Sequence, residues 1–482
     1  MILSYSLTQH NPHLTTSHSL KRTLSAIESN PYARDKRIRE NDFAVEERNA
    51  GWREVDTRKE CFLLPALPPA PTFPEINARR CSRLSEIFLR FVDEDVVSKL
   101  IDSFTAEDLM LGYRNKAHGT TRRMVVTPQL IYKVFAVHIR IIGLQAQPNE
   151  SSVRKPLRKA LDESREHFQH RCPSIDYLEK MTSIMQFGGD WTEILSLKFQ
   201  SVISRLGQFV AGDENIFQFT GKSEGVRLVK SQPDQRGLWL HELCCSLSCG
   251  LPYMLHLRLQ HNNVPGQLNT EVSDNVRRWG HVIKSIGGTD ESHRDQKCIL
   301  AFSSCIMDEE TRRYLREERL PYAASAQDVQ SNADLVFVLE NTIDEHRAIY
   351  NESSEELFVY NYDGKKGARK KYLLSFGLIR SEDSTEINRH LEVIPGYSVY
   401  DSMLETCATF NSGLGGKSWP HRRGGGRCAG SAGSVHDFLF ACLLQNTCNL
   451  HSDLGRATER AISFKEKCIA LSDQILDYAD KL

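Results

Sequence analysis

The sequence predicts a mixed α/β protein with a helical N-terminal region and an inserted β-rich segment. Three observations carry this expectation. Apolar residues recur at helical spacing from Cys81 to about Gly212. Beyond Asp213 the period shortens to two, with Leu251, Tyr253, Leu255, Leu257 and Leu259 in phase. Strand and helix patterns then alternate as hairpin, crossover helix, strand, helix, strand, the order of a sheet layered with helices.

The elements follow in chain order. Residues 1–59 are charged and aperiodic, which predicts a disordered tail. Lys21-Arg22 and Arg34–Arg39 within it match either a bipartite nuclear import signal or a solvated charged tail, since nearby acids nearly cancel them. Residues 62–75 (FLLPALPPAPTFPE) form a proline-rich spacer, because proline removes donors and favours extended chain. Tail and linker together take up residues 1–79.

A helical domain is expected over 80–205. Thr127 and Pro128 suit an N-cap and first helical position. Ile131, Val134, Phe135, His138 and Ile141 then mark one face, with His138 read as a core-edge histidine rather than a ligand.

The first part of the core is expected over 206–327. It opens on a strand at Asp213 and continues with Gly237–Leu247, a turn at Ser248–Gly250 and a half-buried strand over Leu251–Leu259. Val276, Trp279, Val282, Ile283 and Ile286 form a helix stripe closed by Gly287-Gly288. A buried strand at Cys298–Ser303, a helix capped by Asp308 and a strand at Leu320–Ala326 complete an RNase H-like order. Residues 328–396 follow, an inserted β-rich domain on the family resemblance given below, with strand patterns at Leu357–Tyr362 and Tyr372–Phe376 joined through Asp363–Gly367. The core resumes over 397–450. Ala461, Phe464, Cys468, Leu471, Ile475 and Tyr478 make residues 451–482 an amphipathic helix that either docks back on the core or pairs with a second copy.

Composition narrows the function classes. Sixty-one basic residues against 62 acidic ones give a net charge of -1. A strong autonomous nucleic-acid binder carries a basic excess to neutralise phosphates, so any such binding here must rest on local runs. The 13 cysteines include no CxxC pair and read as small buried hydrophobes in a reducing compartment. The most apolar stretch, Val125–Leu144, contains Lys133, His138 and Arg140, so no membrane partner is expected.

Specific motifs add a resemblance. Asp213-Glu214-Asn215, Phe219-Thr220-Gly221-Lys222 and Gln232–Leu238 resemble, in order and spacing, the first catalytic segment of the piggyBac transposase family. Leu315, Glu317–Ala324, Tyr400–Leu404 with Trp419-Pro420, and the segment Pro128–Leu144 extend the likeness over roughly residues 80–450.

The resemblance implies DNA cutting and joining by two divalent cations held on three carboxylates. Asp213 maps onto the first carboxylate and Asp401 onto the third, as candidate catalytic and metal-ligating residues. Ser303 stands where the second is expected, and a one-residue slip gives only Phe302. A neutral hydroxyl does not replace a bridging charge, so the ancestral Mg2+ site is expected to be lost and no cofactor is assigned. For DNA contact, Lys222 keeps the family's cation, and Arg236 stands in a basic stretch thinned by Gln232, Gln235 and Trp239. The run Lys365, Lys366, Arg369, Lys370 and Lys371 is the best local DNA-facing candidate. Residues 421–434 (HRRGGGRCAGSAGS) interrupt the family pattern before an apolar helix over Val435–Asn449.

The resemblance thus implies a nuclear, catalytically inactive, transposase-derived protein that binds DNA weakly, with homodimer formation left open. Two alternatives share the same motifs. One is a residual metal-dependent transposase or nuclease using a substitute acid such as Asp308 or Glu309. The other is a decayed element copy without selected function.

Overall fold

The computed structural model describes residues 52–55, 59–63, 83–111, 122–144, 154–162, 170–185, 187, 190–203, 206, 209–218, 226–228, 236–247, 250–259, 268–287, 299–302, 309–325, 347–363, 368–375, 377–380, 390–392, 406–407, 409–410, 431–454 and 462–482. It is a mixed α/β structure with a helical unit packed on one end and one face of a large sheet.

The helical unit contains α1 (Leu84–Phe91), α2 (Glu94–Asp102), α3 (Pro128–Gly143), α4 (Arg154–Asp162), α5 (Ile175–Ile184) and α6 (Trp191–Ser201). Helix α3 starts as its sequence dictates: Thr127 Oγ1 accepts from Leu130 N at 3.2 Å, with Pro128 in the first turn. It is buried nearly all round from Ile131 to Gly143, which explains its continuous apolar run. His138 is enclosed, its Nε2 lying 2.8 Å from Thr182 Oγ1. No helix among the described residues is long and apolar enough to cross a membrane.

Two C-terminal helices close this unit. Helix α9 (Ser431–Leu454) follows α7 (Leu268–Gly287) and α8 (Glu309–Glu317) of the sheet region, and α10 (Phe464–Ala479) ends the chain. His436 of α9 accepts from Phe187 N through Nδ1 at 3.0 Å. Helix α10 opens on a Ser463–Glu466 capping box and buries Cys468, Leu471, Ile475, Leu476 and Ala479. It lies along α3, where Tyr478 meets Tyr132 edge-on at 5.1 Å and Asp480 pairs with Lys133 at 2.8 Å. In this structure the helix thus packs on α3 of its own chain. The helix around 431 also begins earlier than its apolar pattern suggested, so Ser431–Ser434 belong to α9 and not to an interrupting loop.

The strands form three sheets and comprise short N-terminal strands β1 (Trp52–Glu54) and β2 (Glu60–Leu63), a separate two-stranded ribbon of β3 (Met110–Leu111) and β4 (Arg122–Arg123), and a core run. That run is β5 (Phe209–Gln218), β6 (Val226–Leu228), β7 (Arg236–Ser246), β8 (Pro252–Leu259), β9 (Ile299–Phe302) and β10 (Tyr322–Ser325). Then come β11 (Arg347–Asn351), β12 (Glu356–Asp363), β13 (Ala368–Leu374), β14 (Gly377–Arg380) and β15 (His390–Glu392). The main sheet runs β1-β11-β12-β13-β10-β9-β5-β7-β6, with β8 also on β7. Within it β5, β7 and β8 are successive antiparallel neighbours, while β9 is parallel to both β5 and β10.

Two expectations need correction. Trp52–Glu54 and Glu60–Leu63 are not disordered tail or linker. Strand β1 pairs with β11, and β2 lies between β14 and β15. The insertion is not a separate β domain either, because β13 pairs antiparallel with β10 and carries the core sheet on into β12 and β11. A buried charge network ties this extension down. Glu356 of β12 accepts from Arg312 at 2.9 and 2.6 Å and from Arg316 at 3.2 Å, and Tyr322 also donates to it.

The far edge of the sheet is covered. Asn446 accepts from Met254 N and donates to Met254 O, both at 2.9 Å, and Asn449 donates to Pro252 O at 2.7 Å. Ser196 Oγ accepts from Leu257 N at 3.0 Å. Side chains of α6 and α9 thus satisfy backbone groups that an open β8 edge would expose.

Candidate functional site

Asp213 sits near the middle of β5, half-buried, directly opposite Glu242 of β7. Opposed residues of an antiparallel pair share a face, with Cβ atoms roughly 4.5–5.5 Å apart. Two carboxylates are therefore neighbours on one face of the sheet. Glu242 is fully buried, in phase with the buried Leu240 and Cys244. Sequence reasoning passed over Glu242. The available signal was a carboxylate standing on the apolar phase of a strand.

The next pair along that face is Ala211 and Cys244. Cys407 covers it, its thiol donating to Ala211 O at 3.2 Å. Residues Thr406, Cys407, Thr409 and Phe410 are helical, and this turn follows Asp401 in the chain. A hydrogen bond with Cys244 draws the Cys407 thiol down, but burial and the Asp213 and Glu242 carboxylates outweigh it and leave the thiol raised. Burial pushes Cys244 well up as well, with Cys407 and Glu242 adding to it. Both are inert, enclosed thiols at neutral pH.

The opposite face explains why residue 212 is glycine. Trp279 of α7 lies so close that a Cβ at Gly212 would stand 2.5 Å from its ring. The crossover helix thus seats directly beneath the residue preceding Asp213. On the other side of β5, β9 runs parallel with Phe302 beside Gly212. Ser303 is the next residue in the chain.

Part of the sequence-derived list falls among the described residues. Asp213 is placed as above. Arg236 opens β7 opposite Leu228, and Arg369, Lys370 and Lys371 lie in β13 opposite Tyr362, Asn361 and Tyr360. Ser303, Asp401, Lys222, Lys365 and Lys366 lie outside the described residues, as does Asp308. No three His, Cys, Asp or Glu side chains among the described residues converge as a metal-binding group.

No protein-family model matches this sequence, and no curated protein matches it. Among solved structures, a piggyBac transposase synaptic complex with hairpin DNA superimposes with a TM-score of 0.62 at 13% identity. The match covers 86% of this chain and 83% of that one. The chain has a piggyBac transposase-like fold. Within a piggyBac-like fold, the carboxylate pair Asp213–Glu242 and the segment following Asp401 stand at one place on the sheet.

Proposed function

We propose that this chain is a transposase-derived, DNA-associating nuclear protein that no longer performs two-metal strand cleavage. The strand order β8-β7-β5-β9-β10, with only β7 antiparallel to its two neighbours, fits an RNase H-like core, in which carboxylates from the first and fourth strands meet. The register between β5 and β9 supports the loss of activity: Phe302 pairs with Gly212, so the residue that follows Phe302 as Asp213 follows Gly212 is Ser303. That serine stands where a second carboxylate is needed to hold two cations about 3.5–4 Å apart.

The neighbouring donors do not make up the deficit. Magnesium demands oxygen ligands in near-octahedral array. Of the residues beside Asp213, Cys244 and Cys407 are soft thiols, and Glu242, the one further oxygen donor described there, is fully buried on the sheet face. Asp213 and Asp401 are remnants of the ancestral site on this reading. DNA association rests on phosphate contacts from Lys222, Arg236 and the Lys365–Lys371 hairpin, and nuclear entry on Lys21-Arg22 and Arg34–Arg39. Purified protein incubated with hairpin-ended DNA in magnesium or manganese tests the chemistry. The expected outcome is retardation of the DNA at low salt without strand cleavage.

A further inference from the structure

A basic segment interrupts the helical unit between α2 and α3. From Asp108 to Glu150 the chain carries no acidic residue in between, although the whole sequence holds 62. The cations of that stretch are Arg114, Lys116, Arg122, Arg123, Lys133 and Arg140. Lys133 and Arg140 pair with Asp480 and Asp473 of α10. The rest fall within or between β3 and β4, which pair antiparallel as a two-stranded ribbon.

The ribbon has a rooted face and an open one. Met124 is buried, and its N–H donates to the carbonyl of Leu109, which packs against the core. Met110 lies directly opposite Arg123, so the two share the other face, and Val125 follows Arg123 on it two residues along. All three are exposed, Met110 by 41% and Val125 by 73%. Single exposed apolar residues are ordinary on a protein surface. Two on one fixed face, flanking an arginine, form a patch. The acids nearest in the chain stand at the ribbon's base. Glu107 is exposed there. Asp108 closes its own turn, accepting from Thr105 N at 3.0 Å and from Thr105 Oγ1 at 2.7 Å. Those hydrogen bonds, and then the charge of Lys180 on α5, hold its carboxyl below the ordinary value.

An exposed cation set between apolar side chains on a two-stranded ribbon fits a nucleic-acid groove. The major groove, about 12 Å wide, admits such a ribbon, where arginine reaches phosphates and apolar side chains meet base edges such as the thymine methyl. In a chain of net charge -1, duplex binding must come from local runs of this kind. We propose that the β3–β4 ribbon binds duplex DNA, with Arg123 on a backbone phosphate and Met110 and Val125 against the groove. The proposal rests on the reading that the chain associates with DNA, and it names a contact in the helical unit, separate from the Lys365–Lys371 hairpin.

Fluorescence anisotropy of the full chain with a labelled duplex, titrated across salt, tests it. Arg123→Gln should reduce the magnitude of the slope of log Kobs against log salt by about 0.9, one phosphate contact, and Arg123→Lys should keep it. Val125→Ser should weaken binding at every salt concentration with the slope unchanged, because an apolar contact releases no counterions. Both side chains are exposed, so the melting curves of the variants should match wild type. Wild-type slope and affinity in Arg123→Gln and Val125→Ser would overturn the ribbon contact while leaving the DNA reading intact, provided Lys370→Glu with Lys371→Glu still weakens binding. A wild-type chain that binds no duplex at low salt overturns the DNA reading and this contact with it. Sedimentation provides the other arm. A wild-type dimer that Val125→Ser splits into monomers, with duplex binding unchanged, would reassign the ribbon to self-association and refute the duplex contact.

Discussion

Glu356→Gln should cost about 3–5 kcal/mol of stability, the usual loss when one member of a buried ion pair is removed. Glu356 is fully buried, and both carboxylate oxygens are engaged by Arg312 at 2.9 and 2.6 Å. The Arg312 side chain is itself only 9% exposed, so it cannot turn to water when the charge opposite is neutralised. Arg316, at 26%, can. The penalty therefore falls mainly on Arg312, which loses its Glu356 partner between α8 and β12. Tyr322 loses a charged acceptor as well. Against a total stability of about 5–15 kcal/mol, such a loss is large.

Urea unfolding followed by tryptophan fluorescence measures it, with the midpoint expected to fall at an unchanged slope. The pH dependence gives a second reading. Burial raises the Glu356 carboxyl, but the hydrogen bonds and charge of Arg312, then Tyr322, outweigh it and hold the group below its ordinary value of 4.5. The stabilisation is thus complete above pH 4.5 and lost as pH falls through the lower folded value. Glu356→Gln should flatten that acid limb. A midpoint within about 1 kcal/mol of wild type, with an unchanged acid limb, would refute the claim that this network anchors the sheet extension.

Other expectations follow from the same geometry. Gly212→Ala drives a methyl into the buried Trp279 ring, and overpacking of about 1–3 kcal/mol should lower the melting temperature, whereas Gly250→Ala, whose Cβ meets nothing within 4 Å, is penalised only through its φ of +78°. Helix α10 docks through apolar burial more than through charge. Ile475→Ala should cost about 2–5 kcal/mol, and Arg171→Ala, which releases the partly exposed pairs to Asp477 and Asp480, under about 1 kcal/mol. Charge reversal at Lys370 and Lys371 should flatten the salt dependence of duplex binding, read by anisotropy; an unchanged slope removes the β12–β13 hairpin from the interface.

What the sequence made legible was local. The Thr127-Pro128 start, the β7–β8 hairpin with its turn at Gly250, the Trp279 stripe and the strand pair flanking Asp363–Gly367 all declare themselves through period, caps and turn residues. Pairings over long sequence separation did not. Strands β1 and β2 are three and four residues long, and Trp52 finds its partner at Asn351. No window of periodicity reveals that. Nor does any local pattern say that β13 joins β10 and makes the insertion part of the core sheet. At the candidate site, Asp213 was found through motif order, while Glu242 was hidden because an acid inside an apolar run reads as an exposed position until the register places it opposite Asp213.

On the proposed reading, two-metal chemistry beside Asp213 is lost because Ser303 takes the place of the second carboxylate. Incubating wild type and Ser303→Asp with a hairpin-ended duplex and manganese, while following bound manganese by electron paramagnetic resonance, tests it most directly. Wild type is expected not to cleave, and Ser303→Asp to give a new manganese signal that disappears when Asp213→Ala is added. Metal-dependent cleavage by the wild-type chain, abolished by Asp213→Ala alone, would contradict it.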